Sequence, residues 1–213
     1  MNAATLFDVA SLPDAADTYG LPRDRFNSAW RARCYVDHID TARADWMIQR
    51  HYLGKWPSIS RCVLAMHCGQ YTLGVIVFAD APQQTSVRYS AYTWELARLW
   101  IVDEAPRNAE TWFIGQAIKH VTVYHPQVEM LVSYADPSAG HCGTIYRASN
   151  WTFDGMTDEG RKSPRVDYVV NGVLYSRKAH VPAGVAYTRQ PRVSKYRYTM
   201  RLKRPAPAVE VRR

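Results

Sequence analysis

The sequence predicts an α/β (α+β) domain, a mixed central sheet with helices packed on it. Three observations carry that expectation. Amphipathic and apolar segments follow one another in the order helix, hairpin, strand, helix, strand, helix, then more strands. A chain of 213 residues is of single-domain size, and 47% hydrophobic content suffices for a sizeable core. Two strand-like runs flank one helical run, around Ala97 and Val132, which is the pattern of a right-handed parallel crossover.

The elements read as follows. The first 30 residues look irregular, punctuated by Pro13, Gly20 and Pro22. A helix is expected from about Thr41 to Leu53. Ala44, Met47, Ile48, His51 and Tyr52 share one face there, and Gly54 is placed to end it. "SRCVLAMHCGQYTLGVIVFA" reads as a hairpin turning at Cys68-Gly69-Gln70. "YTWELARLWIVD" is a strand, and "NAETWFIGQAIKHV" a helix whose stripe is Phe113, Ile114, Ala117, Ile118 and Val121. "EMLVSYA" is the next strand and "GTIYRASNW" a short helix. "DYVVNGVLYSRK" is a hairpin whose Asn171-Gly172 suits a type I′ turn.

Charge is unevenly distributed. The whole chain is +8, but residues 161–213 hold 14 Lys/Arg against Asp167 and Glu210, a net of +12. The other 13 basic and 17 acidic residues leave the first 160 at −4. Basic residues alternate with aromatics in "VAYTRQPRVSKYRYTMRLKR", so a polyanion, nucleic acid, is the expected partner, with phosphates neutralised and bases stacked. No apolar run of membrane-spanning length exists, and the opening stretch lacks a basic n-region and an h-region; neither a membrane partner nor an export signal is expected. Cys34, Cys62, Cys68 and Cys142 show no CxxC spacing and are expected as reduced thiols.

"SYADPSAGHCGTIYRASNW" concentrates polar residues where a strand stops and a helix begins, the place where sheets of this kind bind ligands. Asp136 suits a general base or a metal ligand, and equally a turn former before Pro137. His51 on an apolar helix face reads first as a semi-buried histidine. His141-Cys142 and His67-Cys68 are weak signals for a nucleophile pair or a metal site, because sequence neighbours rarely face each other. Glu95 and Arg98, three apart on a strand, are expected on opposite faces, and a central-strand Arg needs a carboxylate or an anionic ligand. Tyr146 suits a proton donor or a packing residue alike. The P-loop, GxGxxG and zinc-deaminase patterns are absent, so nucleoside triphosphate or dinucleotide binding has no support and base deamination is disfavoured.

"ELARLWIVDEAPRNAETWFIGQAIKHV", with "LVSYADPSAGHCGTIYRASNWTFDG", "RHYLGKWP" and "SKYRYTMRL", resembles the Mom family of bacteriophage DNA-modification proteins over roughly residues 45–200. The resemblance implies a GNAT-like fold, a catalytic core over residues 41–160, an N-terminal arm over 1–40, and a basic region over 161–213 that completes the sheet and contacts DNA. It implies conversion of adenine to N6-(carbamoylmethyl)adenine in double-stranded phage DNA, in the host cytoplasm, hiding the genome from restriction. The site residues it implies are His51, Tyr52, Arg98, Ser133, Asp136 and Tyr146. Asp136 would activate the N6 amine, Tyr146 donate a proton, and His51 act as a second base or, with Asp136, as a metal ligand. Acetyl-CoA or another acyl donor is implied by the fold, with Arg107 and Asn108 nearest its pyrophosphate. The usual glycine-rich cradle is replaced by "DEAPRNAE". Plain acylation would not yield a carbamoylmethyl group, so an unusual donor or a redox metal such as iron stays open, as does a homodimer. Arg189, Arg192, Lys195, Arg197, Arg201 and Lys203 would meet phosphates, and Trp151 or Tyr52 would stack on the flipped base. An acyltransferase acting on a protein or tRNA amine, and a non-catalytic nucleic-acid-binding protein, are the alternatives.

Overall fold

Two long strands, β2 (Ser60–Cys68) and β3 (Tyr71–Asp80), form the spine of the computed structural model, which describes residues 30–69, 71–163, 165–176 and 178–202. Both strands are buried on both faces. Val63, Val75 and Val77 face Ala44, Met47 and Ile48 of helix α1 (Thr41–Arg50). Leu64, Met66, Ile76 and Phe78 pack in the larger cluster with Phe113, Ile114, Ala117 and Val121 of helix α3 (Ala109–Tyr124). The alternation is the period-two pleat, and the i, i+4, i+8 spacing of α3 supplies the matching stripe. The irregular first residues predicted above, and Lys203 onward, lie outside the described residues.

The main sheet has seven strands in the order β1-β2-β3-β4-β5-β10-β6, with β1 (Cys34–His38), β4 (Thr93–Ile101), β5 (Met130–Ala135), β6 (Thr152–Met156) and β10 (Tyr196–Arg201). Among the described strands only β4 and β5 pair in parallel, joined by α3 as the crossover reading expects. A second sheet, ordered β8-β7-β9, holds β7 (Val166–Val170), β8 (Val173–Tyr175) and β9 (Thr188–Pro191). Its hairpin turns at Asn171 and Gly172, both at positive φ, 48° and 80°, as a type I′ turn demands. The remaining α-helices among the described residues are α2 (Gln83–Arg88) and α4 (Thr144–Ala148).

The structure departs from the sequence reading in four places. Helix α1 ends three residues early: His51 is its C-cap, in extended backbone with φ −63° and ψ 143°. β1, α2 and β6 are short, and their apolar patterning is too brief to stand out. Cys34 and Cys68 are joined by a disulfide rather than being free thiols, because the antiparallel β1–β2 register sets them directly opposite. Cys62 and Cys142 are free.

The fourth departure shapes the site. The pairing of β3 with β4 runs Val77↔Arg98 and then Phe78↔Leu96, so Ala97 is the extra residue of a β-bulge. A bulge shifts the alternation by one. Glu95 and Arg98, expected on opposite faces, are thereby turned toward one cavity, which both of them line. The β4–β5 pairing itself ends at Glu95↔Val132, and the two strands part from there on.

Candidate active site

A cavity of about 510 Å³ opens where β4 and β5 part, walled by β4, the loop after β5 and the start of α4. It is large enough for a nucleobase with a small donor beside it. Among the described residues, no carboxylate pairs with Arg98, although its side chain is buried. Its Nε donates to the Lys55 carbonyl at 2.8 Å and its Nη1 to the Ala97 carbonyl at 2.5 Å. A guanidinium fixed by two carbonyls, with Glu95 in the same cavity but no carboxylate at salt-bridge distance, is suited to hold an electronegative group of a ligand.

Glu95 faces the same space. Burial of its carboxyl raises the pKa to about 7, with Arg98 and Lys195 offsetting only part of the effect. Such a carboxyl exchanges its proton near neutral pH, which suits a general base. Only the Arg of its Glu-x-x-Arg spacing enters the sequence reading as a site residue. The signal for Glu95 was the charge on an apolar strand, and the bulge that aims it inward left no trace in the pattern.

His51 is 9% exposed and lines the cavity. Burial first, then the positive charge of Arg98, lowers its pKa to about 4, so the imidazole is neutral at physiological pH. The Leu53 N–H donates to its Nδ1 at 3.2 Å, so in the neutral ring Nε2 carries the proton. This corrects the expectation that His51 is a second base: it presents a donor. Tyr52, 45% exposed, stands at the mouth between His51 and His141, with ring centroids 4.5 and 4.9 Å away.

Tyr146 is buried, and burial pushes its hydroxyl up to about 12. Ser133 Oγ lies 2.8 Å from both the Tyr146 hydroxyl and the Leu96 carbonyl. Serine has one proton and a carbonyl only accepts, so Ser133 donates to Leu96 and Tyr146 donates to Ser133. Ser133 itself, 1% exposed, lies behind the cavity wall and positions Tyr146.

Asp136 does not line the cavity. Its Oδ1 accepts from the Ser138 N–H at 3.0 Å and the Ser138 hydroxyl at 2.5 Å, and its Oδ2 pairs with Lys195 at 2.8 Å. Desolvation opposes its charge, but the Lys195 and Ser138 hydrogen bonds outweigh that and hold it below the usual carboxylate range. The turn former of the sequence reading is what the geometry displays, and it is a weak base. With both oxygens engaged, it is not placed to share a metal with His51. Lys195, expected on phosphate, lines the cavity instead, carried there by the approach to β10.

The remaining expected nucleic-acid contacts divide. Arg189 and Arg201 are exposed. Arg192 binds Asp167 at 2.5 Å and the Ser176 carbonyl at 2.7 Å. Arg197 is buried against Asp154, 3.3 Å from its Oδ2 and 2.6 Å from its carbonyl. These two arginines hold the C-terminal strands together. Trp151, 4% exposed with its ring 5.4 Å from Tyr146, is core and cannot stack on a base; Tyr52 is the aromatic left at the mouth. Lys203 lies outside the described residues.

Arg107 and Asn108 are exposed and do not line the cavity. Asp103 and Glu110 do, at the end where the start of α3 lies. A phosphate within about 4 Å of either carboxylate would meet about 4 kcal/mol of repulsion at an effective dielectric of 20. The helix N-terminus returns about 0.3–1 kcal/mol, and Glu110 in the first turn already draws on it. Asp103 and Glu110 thus set negative charge at the end of the cavity beside the start of α3.

Known proteins place this arrangement in a family. The model of the Mom protein family matches residues 33–210. The chain belongs to that family. It is 32% identical over 127 residues to the methylcarbamoylase mom of Escherichia phage Mu, covering 56% of this chain and 53% of that protein. The chain thus spans about half the length of the curated relative it matches. Among solved structures, the IAA acetyltransferase from Bacillus cereus superposes with a TM-score of 0.50 at 11% identity, covering 79% of this chain and 99% of that one. A chimaeric spermidine N-acetyltransferase from Vibrio cholerae does so with a TM-score of 0.50 at 8% identity, covering 79% and 95%. At that identity the likeness concerns architecture: this Mom-family chain has the GNAT acetyltransferase fold, and the cavity lies at its splayed parallel strands.

Proposed function

We propose that this chain modifies adenine in double-stranded DNA, replacing one N6 proton by a carbamoylmethyl group. The observation that carries the reading is the family match across residues 33–210, together with its relative in phage Mu, which is named a methylcarbamoylase. The cavity supplies chemistry of the right kind. A flipped adenine stacks on Tyr52 at the mouth, at a cost of a few kcal/mol for leaving the duplex. Glu95 takes the N6 proton as the nitrogen attacks the methylene carbon of the donor. The N6–H bond breaks, the N6–C bond forms, and the leaving group departs with the electron pair of its bond to that carbon. Arg98 and the Nε2–H of His51 hold the carbonyl oxygen of the transferred amide. Tyr146, protonated at physiological pH, braces the wall behind them. No step here uses CoA, which the acidic rim disfavours; the donor is a small carbamoylmethyl compound with a good leaving group.

The test is mass spectrometry of nucleosides from DNA and tRNA of cells expressing the chain, beside a Glu95→Gln control. Adenine heavier by one carbamoylmethyl group in DNA, lost in the control, is expected. The modification confined to tRNA would move the acceptor to RNA, and its absence from both, with folded protein present, would overturn the reading.

A further inference from the structure

We propose that His38, Cys62, His120 and His125 form a structural binding site for a zinc ion, fastening the C-terminal end of α3 to the edge of the main sheet. The four side chains converge from three elements. In the β1–β2 register His38 sits opposite Leu64, and Cys62 lies two residues before Leu64 on the same strand. Paired residues share a face, and so do residues two apart, so both side chains point where Leu64 points, toward α3. His120 falls seven residues after Phe113, on the helical stripe that meets that face, and His125 caps the helix.

The spacing of the four side chains suits one ion. One ligand atom from each residue lies within 4.8 Å of all the others. A tetrahedral zinc with bonds of about 2.0–2.1 Å to nitrogen and 2.3 Å to sulfur needs its ligands about 3.3–3.6 Å apart. The widest pair therefore closes by little more than about 1 Å, within the reach of rotamer adjustment at the exposed His38. The Nε2 atoms of His38 and His120 already stand 3.1 Å apart. Independently, the Nε2 of His125 is enclosed without any hydrogen-bond partner. Buried polar nitrogens are seldom left so, and a metal bond would satisfy this one.

The donor set names the ion. Three imidazoles and a thiolate, with no carboxylate, exclude calcium and magnesium. Imidazole suits zinc, copper, iron and nickel, and thiolate narrows the choice toward zinc. Four protein ligands close the coordination sphere, which marks a structural rather than a catalytic site. Its position agrees. α3 has 16 residues, about 24 Å of helix, and Glu110 at its other end lines the cavity. On loading, the Cys62 thiol gives up its proton and both sulfur electrons enter the metal bond; no electron transfer is involved. The inference does not depend on the reaction proposed above.

The experiment is metal analysis of the full chain, purified without a histidine tag from zinc-supplemented cells, followed by exchange to Co²⁺. About one zinc per chain is expected. The cobalt form should show strong visible d–d bands of a tetrahedral ion and a near-ultraviolet thiolate band. Cys62→Ser should lose the thiolate band. His120→Gln, at a half-buried helix position that should not unfold the chain, should weaken zinc binding by at least the 10–100-fold that even an outer partner commands. Metal-free protein whose circular dichroism and melting temperature ignore added zinc would overturn the proposal, as would wild-type affinity in folded His120→Gln.

Discussion

Glu95 and His51 face one cavity with opposite protonation preferences, and each makes a distinct prediction. Glu95 has its pKa raised from 4.5 to about 7 by burial. The folded state then binds more protons than the unfolded chain between those values. Its stabilising contribution is whole below pH 4.5 and is lost as pH rises through about 7, by at most about 3 kcal/mol. Urea unfolding at pH 5 and pH 8 should show Glu95→Gln losing less stability across that interval than the wild type. The rate should carry the same signature. Modification rises with pH to a plateau above about 7 in the wild type, and Glu95→Gln falls by about 10²–10⁴-fold with the limb gone. A pH–rate profile of the variant that keeps the limb would place the base elsewhere. His51 has the opposite sign. Its pKa, lowered from 6.5 to about 4, makes stability present above 6.5 and lost as pH falls toward 4. His51→Asn should flatten that acid limb in the same unfolding series.

At the scale of elements, the turn into α4 and the β1–β2 ladder are the joints on which the site depends. Gly143 caps α4 at φ 78°, and a Cβ there would come within 2.2 Å of the Tyr198 ring, whose hydroxyl donates to the Cys142 carbonyl at 2.9 Å. Both the left-handed backbone and the contact oppose any side chain. Gly143→Ala should cost about 2–4 kcal/mol in denaturant unfolding, combining backbone strain and overpacking. The Cys34–Cys68 bridge closes a separation of 34 residues. Chain entropy puts its contribution at about 3–4 kcal/mol. A Cys34→Ser/Cys68→Ser variant should lose that much in oxidising buffer and match the wild type once dithiothreitol is added. Equal stability in both buffers would mean the two thiols do not pair in solution.

Over the whole molecule, charge placement matters more than charge count. Residues 161–213 hold a net of +12, yet much of it is used internally. Arg161 and Arg165 share Asp158, Arg192 holds Asp167 and Arg197 holds Asp154. On the proposed function, DNA affinity falls with salt by a log–log slope of about −0.9 per phosphate contact. Replacing the exposed Arg189 and Arg201 together should lower the magnitude of that slope by about 1.8 in a fluorescence titration. Arg197→Ala should instead destabilise the fold by about 1–3 kcal/mol, because the buried hydrogen bonds from Arg197 to the Asp154 side chain and carbonyl are lost while Asp154 keeps Arg88 and Tyr89, and should leave the slope nearly intact.

What the sequence alone determined is what short-range patterning can encode. Phe113, Ile114, Ala117 and Val121 declared α3 by their spacing, Asn171-Gly172 declared a type I′ hairpin, and the two apolar runs either side of α3 implied the parallel pair. The site was legible to the extent that it lies at the end of that pair, where His51, Tyr52, Arg98 and Tyr146 line one cavity. Tertiary structure decided the rest. The bulge at Ala97 brought Glu95 beside Arg98, and the insertion of β10 between β5 and β6 brought Tyr198 under Gly143 and Lys195 to Asp136. Register set Cys34 opposite Cys68 and gathered His38, Cys62, His120 and His125. Helical and strand periodicity are local properties of a few consecutive residues. Register and strand order depend on which distant segments bury their apolar faces together, so the partners they create are written only in the folded chain.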